Sequence, residues 1–361
     1  MRSWITPEWS LFIFSLRRSF YGWLVVLLLL VFPGHLLFAA PTTQKFAEGV
    51  DLEFGGYGNG HGTFQFLRDF AFGPQGRIYV LDGAGYDYKT KAMAGDLLVQ
   101  IFSHKGKFIR QFPIAAPQRV ASTADPVPGM EKLPGVYNDP QSLAVDAQGH
   151  VFITQPRANI VQIYDARGQL IHNVAIAAAM AITPWRGNMA VIGSAQEDVP
   201  SQGWSWIGGR RIDVINAAGH IVAFISLSRR LTQVESMASD SQDNFYFQAA
   251  VNQIYEFSPQ GQLLKVIGCG SRKMFRSEDG SELFHSVAVD QHGNIYSMTF
   301  GNPGRVTKFN ASVTTVTQHH GEFTWADAWN ADDLPIHVDA KGRIWVASTG
   351  ALKPSNRWYH G

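Results

Sequence analysis

One short pattern recurs six times along this chain and limits what the chain can become. It is an apolar pair, a turn containing Asp or Gly, then a β-branched or aromatic triplet. In order it reads FAFGPQGRIYVLD (70–82), LAVDAQGHVFIT (143–154), MAITPWRGNMAVI (180–192), MASDSQDNFYFQ (237–248), VAVDQHGNIYSM (287–298) and IHVDAKGRIWVA (336–347). Alternating apolar residues on both sides of a tight turn specify a β-hairpin. A second hairpin half follows five of the six: 98–112, 160–174, 211–225, 253–267 and 305–318. The turn positions Gly76, Gly149, Gly187, Asp243, Gly293 and Gly342 lie 73, 38, 56, 50 and 49 residues apart. A period of about 40–50 residues with four strands per unit predicts propeller blades. The expected fold is therefore all-β: a six-bladed β-propeller of four-stranded antiparallel blades.

The motif has a family likeness. It resembles the NHL repeat, whose unit pairs an apolar-x-Val-Asp turn and a Gly-Asn-Ile-Tyr-Val strand with a later Arg-Val-Gln-x-Phe-Asp strand. The second and fifth repeats carry it best, through Val145, Asp146, Gly149, Val151 and Phe152, and through Val289, Asp290, Gly293, Asn294, Ile295 and Tyr296. The third departs most, with Thr183 and Pro184 where the Asp would stand. The resemblance covers nearly everything after residue 50. It implies a propeller whose strands run a to d from channel to rim, with the d–a and b–c connections sharing the ligand face.

Residues 1–40 belong to a different class. Arg2, Arg17 and Arg18 precede an apolar run from Phe20 to Phe32, Pro33 and Gly34 interrupt it, and LLFAA follows. A positive flank, an apolar core and small residues at the end make a secretory signal, with cleavage near Ala39 or Ala40. The competing reading is an uncleaved anchor helix, since 20–40 is about long enough to cross a bilayer with Arg17 and Arg18 on the cytoplasmic side. Either reading divides the chain into 1–40, signal or anchor, and 41–361, propeller, and places the propeller outside the cytoplasm, free or attached to the membrane through 20–40. RRSF (17–20) resembles part of a twin-arginine motif, but a general secretory route fits the strongly hydrophobic run better. The single cysteine, Cys269, rules out an internal disulfide framework. A net charge of +1 with no Lys/Arg run longer than two lacks the basic footprint of a nucleic-acid binder.

A propeller removes its sheet edges by joining first and last blades. The last repeat is short, and VDLEFGG before the first resembles an outermost strand with its exit turn, so residues 50–54 are expected to supply the outer strand of the sixth blade. Three connections exceed the usual loop length: 82–97, 113–139 and 193–210, all on the d–a/b–c face. They bring Tyr86, Tyr88, Trp204 and Trp206, aromatics suited to a peptide or a sugar and equally to capping blade tops.

The position five before the repeat Asp should sit at the channel mouth. It holds Arg68, Gln141, Glu235 and His285, with Ala178 and Leu334 in the remaining repeats. Such a ring would bind a small polar ligand, or pair within itself, as buried polar groups must. A peptide-amidating lyase on a similar propeller would need His at three of these positions to hold zinc, and only His285 matches. A gluconolactonase-like propeller would need a calcium-type carboxylate cluster, and Glu235 is the sole carboxylate. Neither G-x-S-x-G, H-E-x-x-H, a phosphate loop nor C-x-x-C is present. No catalytic residue and no cofactor are therefore assigned. The expectation is a non-catalytic module binding a protein, peptide or glycan; the alternative is a metal-dependent lyase or lactonase using Zn or Ca at the channel.

Overall fold

The computed structural model describes residues 12–13, 52–56, 58–64, 67–83, 85–87, 92–94, 97–116, 140–156, 158–193, 209–231, 234–249, 253–267, 283–300, 304–309, 318–323 and 335–347. Two short strands, β1 (Phe12–Ile13) and β2 (Leu52–Glu53), pair antiparallel. The first blade runs β3 (Leu67–Phe72), β4 (Ile78–Asp82), an inserted hairpin of β5 (Gly85–Asp87) and β6 (Ala92–Ala94), then β7 (Leu98–Phe102) and β8 (Phe108–Pro113), giving the sheet order β3-β4-β7-β8. The second comprises β9 (Leu143–Val145), β10 (Val151–Gln155), β11 (Ile160–Tyr164) and β12 (Leu170–Ala175). The third comprises β13 (Ala181–Trp185), β14 (Asn188–Gly193), β15 (Gly209–Ile215) and β16 (Ile221–Leu231). The fourth comprises β17 (Val234–Ser239), β18 (Phe245–Ala249), β19 (Ile254–Phe257) and β20 (Leu263–Ile267). The fifth comprises β21 (Leu283–Val289), β22 (Ile295–Phe300), β23 (Gly304–Phe309) and β24 (Gln318–Phe323). The sixth unit is a two-stranded sheet of β25 (Ile336–Val338) and β26 (Ile344–Val346).

The innermost strands pack successively against one another, β3 on β9, β9 on β13, β13 on β17, β17 on β21 and β21 on β25, which is a propeller. The expectation of six complete blades is corrected: among the described residues five are four-stranded. The chain after Val346 supplies no further described strand, and the neighbours of β26 come from the other end of the molecule. β1 lies against β26, and β2 pairs with β1. The expected signal or anchor helix over 20–40 lies outside the described residues. Within 1–40 only Phe12–Ile13 is described, and it is strand. Among the described residues no helix is long and apolar enough to cross a membrane.

The repeat motif is explained by its turn. Asp290 Oδ1 accepts the backbone N–H groups of His292 and Asn294, both at 2.9 Å, while Oδ2 accepts Asn294 Nδ2 at 2.7 Å and Tyr296 OH at 3.1 Å. Asp240 repeats this with Gln242, Asn244 and Tyr246. Asp339 does so with Lys341, Arg343 and the Trp345 indole, and Asp146 with Gln148 and His150. One carboxylate thus closes the a–b hairpin in four of the six units and ties its turn to the next strand. Burial raises the Asp290 pKa, but the bonds from Asn294, His292 and Tyr296 outweigh it and hold the carboxyl below its ordinary value. Where Gly73 replaces the Asp, the Tyr79 ring fills the space that a side chain would need.

The third repeat lacks the Asp because its turn differs. Arg186 (φ 49°) and Gly187 (φ 74°) form a two-residue turn with both residues at positive φ, the geometry that matches strand twist in tight hairpins. The turn leans on the fourth blade instead: Trp185 Nε1 donates to the Asp243 carbonyl at 3.0 Å, and Arg186 Nε donates to Asp243 Oδ2 at 2.7 Å.

Between blades the core is apolar and regular. Phe112, on the outermost strand of the first blade, packs in a tilted pair at 5.3 Å against Tyr164, the last residue of β11 in the second. Phe54 packs in a tilted pair at 4.7 Å against Phe102, the corresponding last residue of β7 in the first blade. A Cβ at Gly168 would collide with Phe112, and one at Gly106 would collide with Phe54. Phe54 therefore occupies, relative to the first blade, the place that an outermost-strand residue occupies relative to the blade after it. It joins a core cluster with Phe64, Phe70, Ile78, Val80, Phe102 and, from the sixth unit, Trp345 and Ala347.

Candidate functional site

Each innermost strand starts at the face carrying the d–a and b–c connections and runs towards the a–b turns. Its first residues therefore border the channel mouth. At this end the strands are bulged. Arg68 is the extra residue between Leu67, opposite Asp82, and Asp69, opposite Leu81. Glu235 is the extra residue between Val234 and Ser236, and His285 that between Phe284 and Ser286. In the second blade Gln141 and Ser142 both bond to Thr154: the Gln141 N–H to the carbonyl, the Ser142 N–H to Oγ1. A bulge puts one residue out of the pairing and re-aims its side chain. Three of the four polar mouth candidates, Arg68, Glu235 and His285, thus share one backbone device, which the alternating pattern had not disclosed.

Arg68, Gln141 and Glu235 are half-buried, and each is engaged within the fold. Ala178 departs from the ring: it is buried at φ 44°, and its N–H donates to Asn159 Oδ1 at 2.8 Å in the connection between the second and third blades. Tyr86 lies in the inserted hairpin β5–β6, opposite Met93. Tyr88, Trp204, Trp206, Leu334 and Cys269 lie outside the described residues. Among the described residues no group of three or more His, Cys, Asp or Glu is placed to hold a metal ion.

Sequence reasoning missed a second polar layer, one residue deeper. Asp69 Oδ2 accepts Ser142 Oγ at 3.0 Å and the Leu143 N–H at 2.7 Å, while Oδ1 lies 3.1 Å from His337 Nε2. This buried carboxylate links the sixth, first and second units across the ring. In the fourth blade Ser236 plays the equivalent part, accepting the Val287 N–H of the fifth at 2.7 Å. Ser286 stands at the same position of the fifth blade, and its buried Oγ has no hydrogen-bond partner among the described residues. The signal was present in the sequence as a polar residue four before the repeat Asp.

Glutamines on the third strands anchor the connections. Gln100 accepts the Gly62 N–H at 2.8 Å and donates to the Thr63 carbonyl at 2.6 Å. Gln162 donates to the Ala115 carbonyl at 3.2 Å and accepts Tyr164 OH at 2.8 Å, and burial pushes the Tyr164 pKa up to about 12. Residues 62–63 are held as residue 115 is held, by the same position of the next blade. Gln155, buried beside Gln162, donates Nε2 to Gln162 Oε1 at 2.5 Å and leaves its own Oε1 without a partner. Such an arrangement can order a connection and offer an acceptor beneath it. It contains no nucleophile–base pair.

No family model matches the chain, and no curated protein matches it. The NHL resemblance therefore rests on the repeat motif. Solved structures similar to the chain include a protein of unknown function from Bacteroides caccae, with 13% identity and a TM-score of 0.43 over 67% of this chain and 72% of that one. U3-55K is similar at 12% identity and a TM-score of 0.49 over 82% of this chain and 92% of that one, and the WD40 repeats of RRP9 at 12% identity and a TM-score of 0.47 over 81% and 90%. A catalytically inactive virginiamycin B lyase from Staphylococcus aureus, solved with quinupristin, is similar at 10% identity and a TM-score of 0.44, over 78% of this chain and 94% of that one. Likenesses at this level assign no activity, and the propeller is read from the strand pairing itself.

Proposed function

We propose that this chain is an extracytoplasmic six-bladed propeller of the NHL kind that binds a protein, peptide or glycan through its d–a/b–c face. The observation that carries the reading is the coincidence, on that face, of four polar residues at strand starts, three of them at bulges, with the inserted β5–β6 hairpin. Loops raised on a rigid scaffold are where binding residues concentrate. In this reading β2 acts as the outermost strand of the sixth blade, and Phe54 locks it to the first blade.

The test is binding by the full chain, purified in detergent, to peptide and glycan arrays. Replacing residues 84–96 by a two-residue turn, or substituting Arg68→Ala with Glu235→Ala, should weaken the strongest ligand at least about tenfold, an effect of hot-spot size. Unchanged binding by both variants, with unchanged melting, would exclude this face.

A further inference from the structure

We propose that the outer edge of β16 pairs antiparallel with the same edge of a second copy of this chain, making a two-fold dimer whose axis passes through Phe224. β16 ends its sheet, so among the described residues no strand pairs with that edge. An unpaired edge is a template for another chain, and folds blunt it with short strands, Pro or charged side chains. The outermost strands of the other four complete blades follow this rule. They are five or six residues long and carry Arg110 and Pro113 in β8, His172 in β12, Lys265 in β20, and His319, His320 and Glu322 in β24. β16 has 11 residues and opens with Ile221, Val222, Ala223, Phe224 and Ile225. Of these, Ile221, Val222 and Phe224 are exposed large hydrophobics, Phe224 at 66%.

The neighbours of the strand define how much of its edge is open. The Ser228 N–H donates to the Gly261 carbonyl at 2.7 Å, and the Ser226 carbonyl fills the space that a Gly261 Cβ would need. The c–d turn of the fourth blade therefore takes the edge beyond Ser226. At the other end Val222 is the extra residue of a bulge, between Ala223, opposite Val214, and Ile221, opposite Ile215. The open stretch is thus 222–226, and its centre is Phe224. The ladder is regular from Ala223 to Ser226, and the Ser226 carbonyl points outward, so the N–H and C=O of Phe224 point outward as well. An antiparallel two-fold centred on such a residue lets it exchange both N–H···O=C bonds with its own copy.

The chemistry of the stretch selects a second copy over an unrelated strand. Centred on Phe224, the pairing sets the two Phe224 rings side by side as an aromatic cross-strand pair, and sets Ala223 beside Ile225. Leu264 of β20, 54% exposed, flanks the stretch on one side. Ile171 flanks it on the other, 40% exposed and adjacent to the His172 ring that covers Gly219. Contiguous apolar surface of this kind marks an association site. Charges do not oppose one another across the axis. Arg211, over the Phe224 ring at 5.1 Å, is held by Asp213 Oδ1 through Nε at 2.8 Å. Arg229 and Arg230 lie five and six residues beyond Phe224, so the pairing places them opposite Gly219 and Ala218 of the second copy and keeps them apart. The inference depends neither on what the ligand face binds nor on the β2 closure.

The experiment measures self-association of the full chain, purified in detergent, by sedimentation equilibrium. The parent should dimerise. Phe224→Lys and Phe224→Glu should each raise the dissociation constant at least about tenfold, because each sets like charges side by side on the axis. An equimolar mixture of the two variants should restore the dimer, since only self-pairing at residue 224 brings the opposite charges together. Both variants should melt within about 2 °C of the parent, the ring being exposed. In a Cys269→Ser background, Ala223→Cys combined with Ile225→Cys should cross-link on oxidation at least about fivefold more than either alone. A single cysteine at 223 or 225 lies about 7–8 Å from its own copy, beyond the reach of a disulfide. A parent that stays monomeric up to about 100 μM would overturn the proposal. A dimer that both charge variants leave intact would overturn it too, assigning association to residues outside β16. So would a mixture that stays monomeric, which would assign the edge to a strand of different sequence.

Discussion

Substituting Phe54 by Ala tests whether the N-terminal side of the propeller closes the ring. The Phe54 ring is half-buried, packs tilted against Phe102 at 4.7 Å and covers Gly106, and it shares a cluster with Trp345 and Ala347 of the sixth unit. Truncating a fully buried Phe costs about 3–5 kcal/mol. Half that for a half-buried ring, with about 0.5–1 kcal/mol for the lost aromatic pair, gives about 2–3 kcal/mol. For a chain of this length each kcal/mol lowers the melting temperature by about 2 °C, so a fall of about 4–6 °C is expected. Calorimetry reads the shift, and hydrogen exchange locates it. Amides of β25, β26 and β3 should lose protection first, because the first and last units meet there, while β14 and β15 keep theirs. Ile109→Ala, exposed on an outermost strand, is the control and should melt within about 1 °C of the parent. If Phe54→Ala melted with the control, or lost protection uniformly, residues 52–54 would not be the closing strand.

Glu256 sits across from Lys265, and burial, only partly offset by that lysine and by Tyr246, raises its pKa. A raised carboxyl pKa means that stability falls as pH rises from the unfolded value through the folded one. Glu256→Gln should therefore gain on the parent in thermal melts as pH goes from 4 to 7, and a constant difference would refute the assignment. Asp290 has the opposite sign, its folded pKa being lowered. Asp290→Ala should cost about 2–3 kcal/mol at pH 7 for the bonds to His292, Asn294 and Tyr296, with the gap narrowing as pH falls from the ordinary carboxyl value through the lowered folded one. Metal analysis of the purified chain should find no stoichiometric Zn or Ca. One ion per chain, lost on His285→Ala, would favour the metal-dependent lyase or lactonase.

Much of this fold is legible in the sequence for a local reason. An Asp that closes a turn through the N–H groups two and four residues on, and through the side chains four and six residues on, must recur with the same spacing. The strings around Asp146, Asp240, Asp290 and Asp339 therefore announce their hairpins. The third repeat reads poorly because its turn uses two positive-φ residues, Arg186 and Gly187, and needs no carboxylate. The candidate site was legible only in part. Counting back from the Asp reached Arg68, Glu235 and His285, but nothing in the pattern revealed that each is the extra residue of a bulge. Ala178 was misplaced because the shorter turn of its repeat shifts the count.

The sequence alone determined the repeat, the strand-turn-strand register and the apolar N-terminal run, since each follows from contacts within a few residues. Tertiary structure decided what depends on residues distant in the chain. The buried Asp69 joins Ser142 and His337, at separations of 73 and 268 residues, and Phe54 takes an outer-strand place beside Trp345.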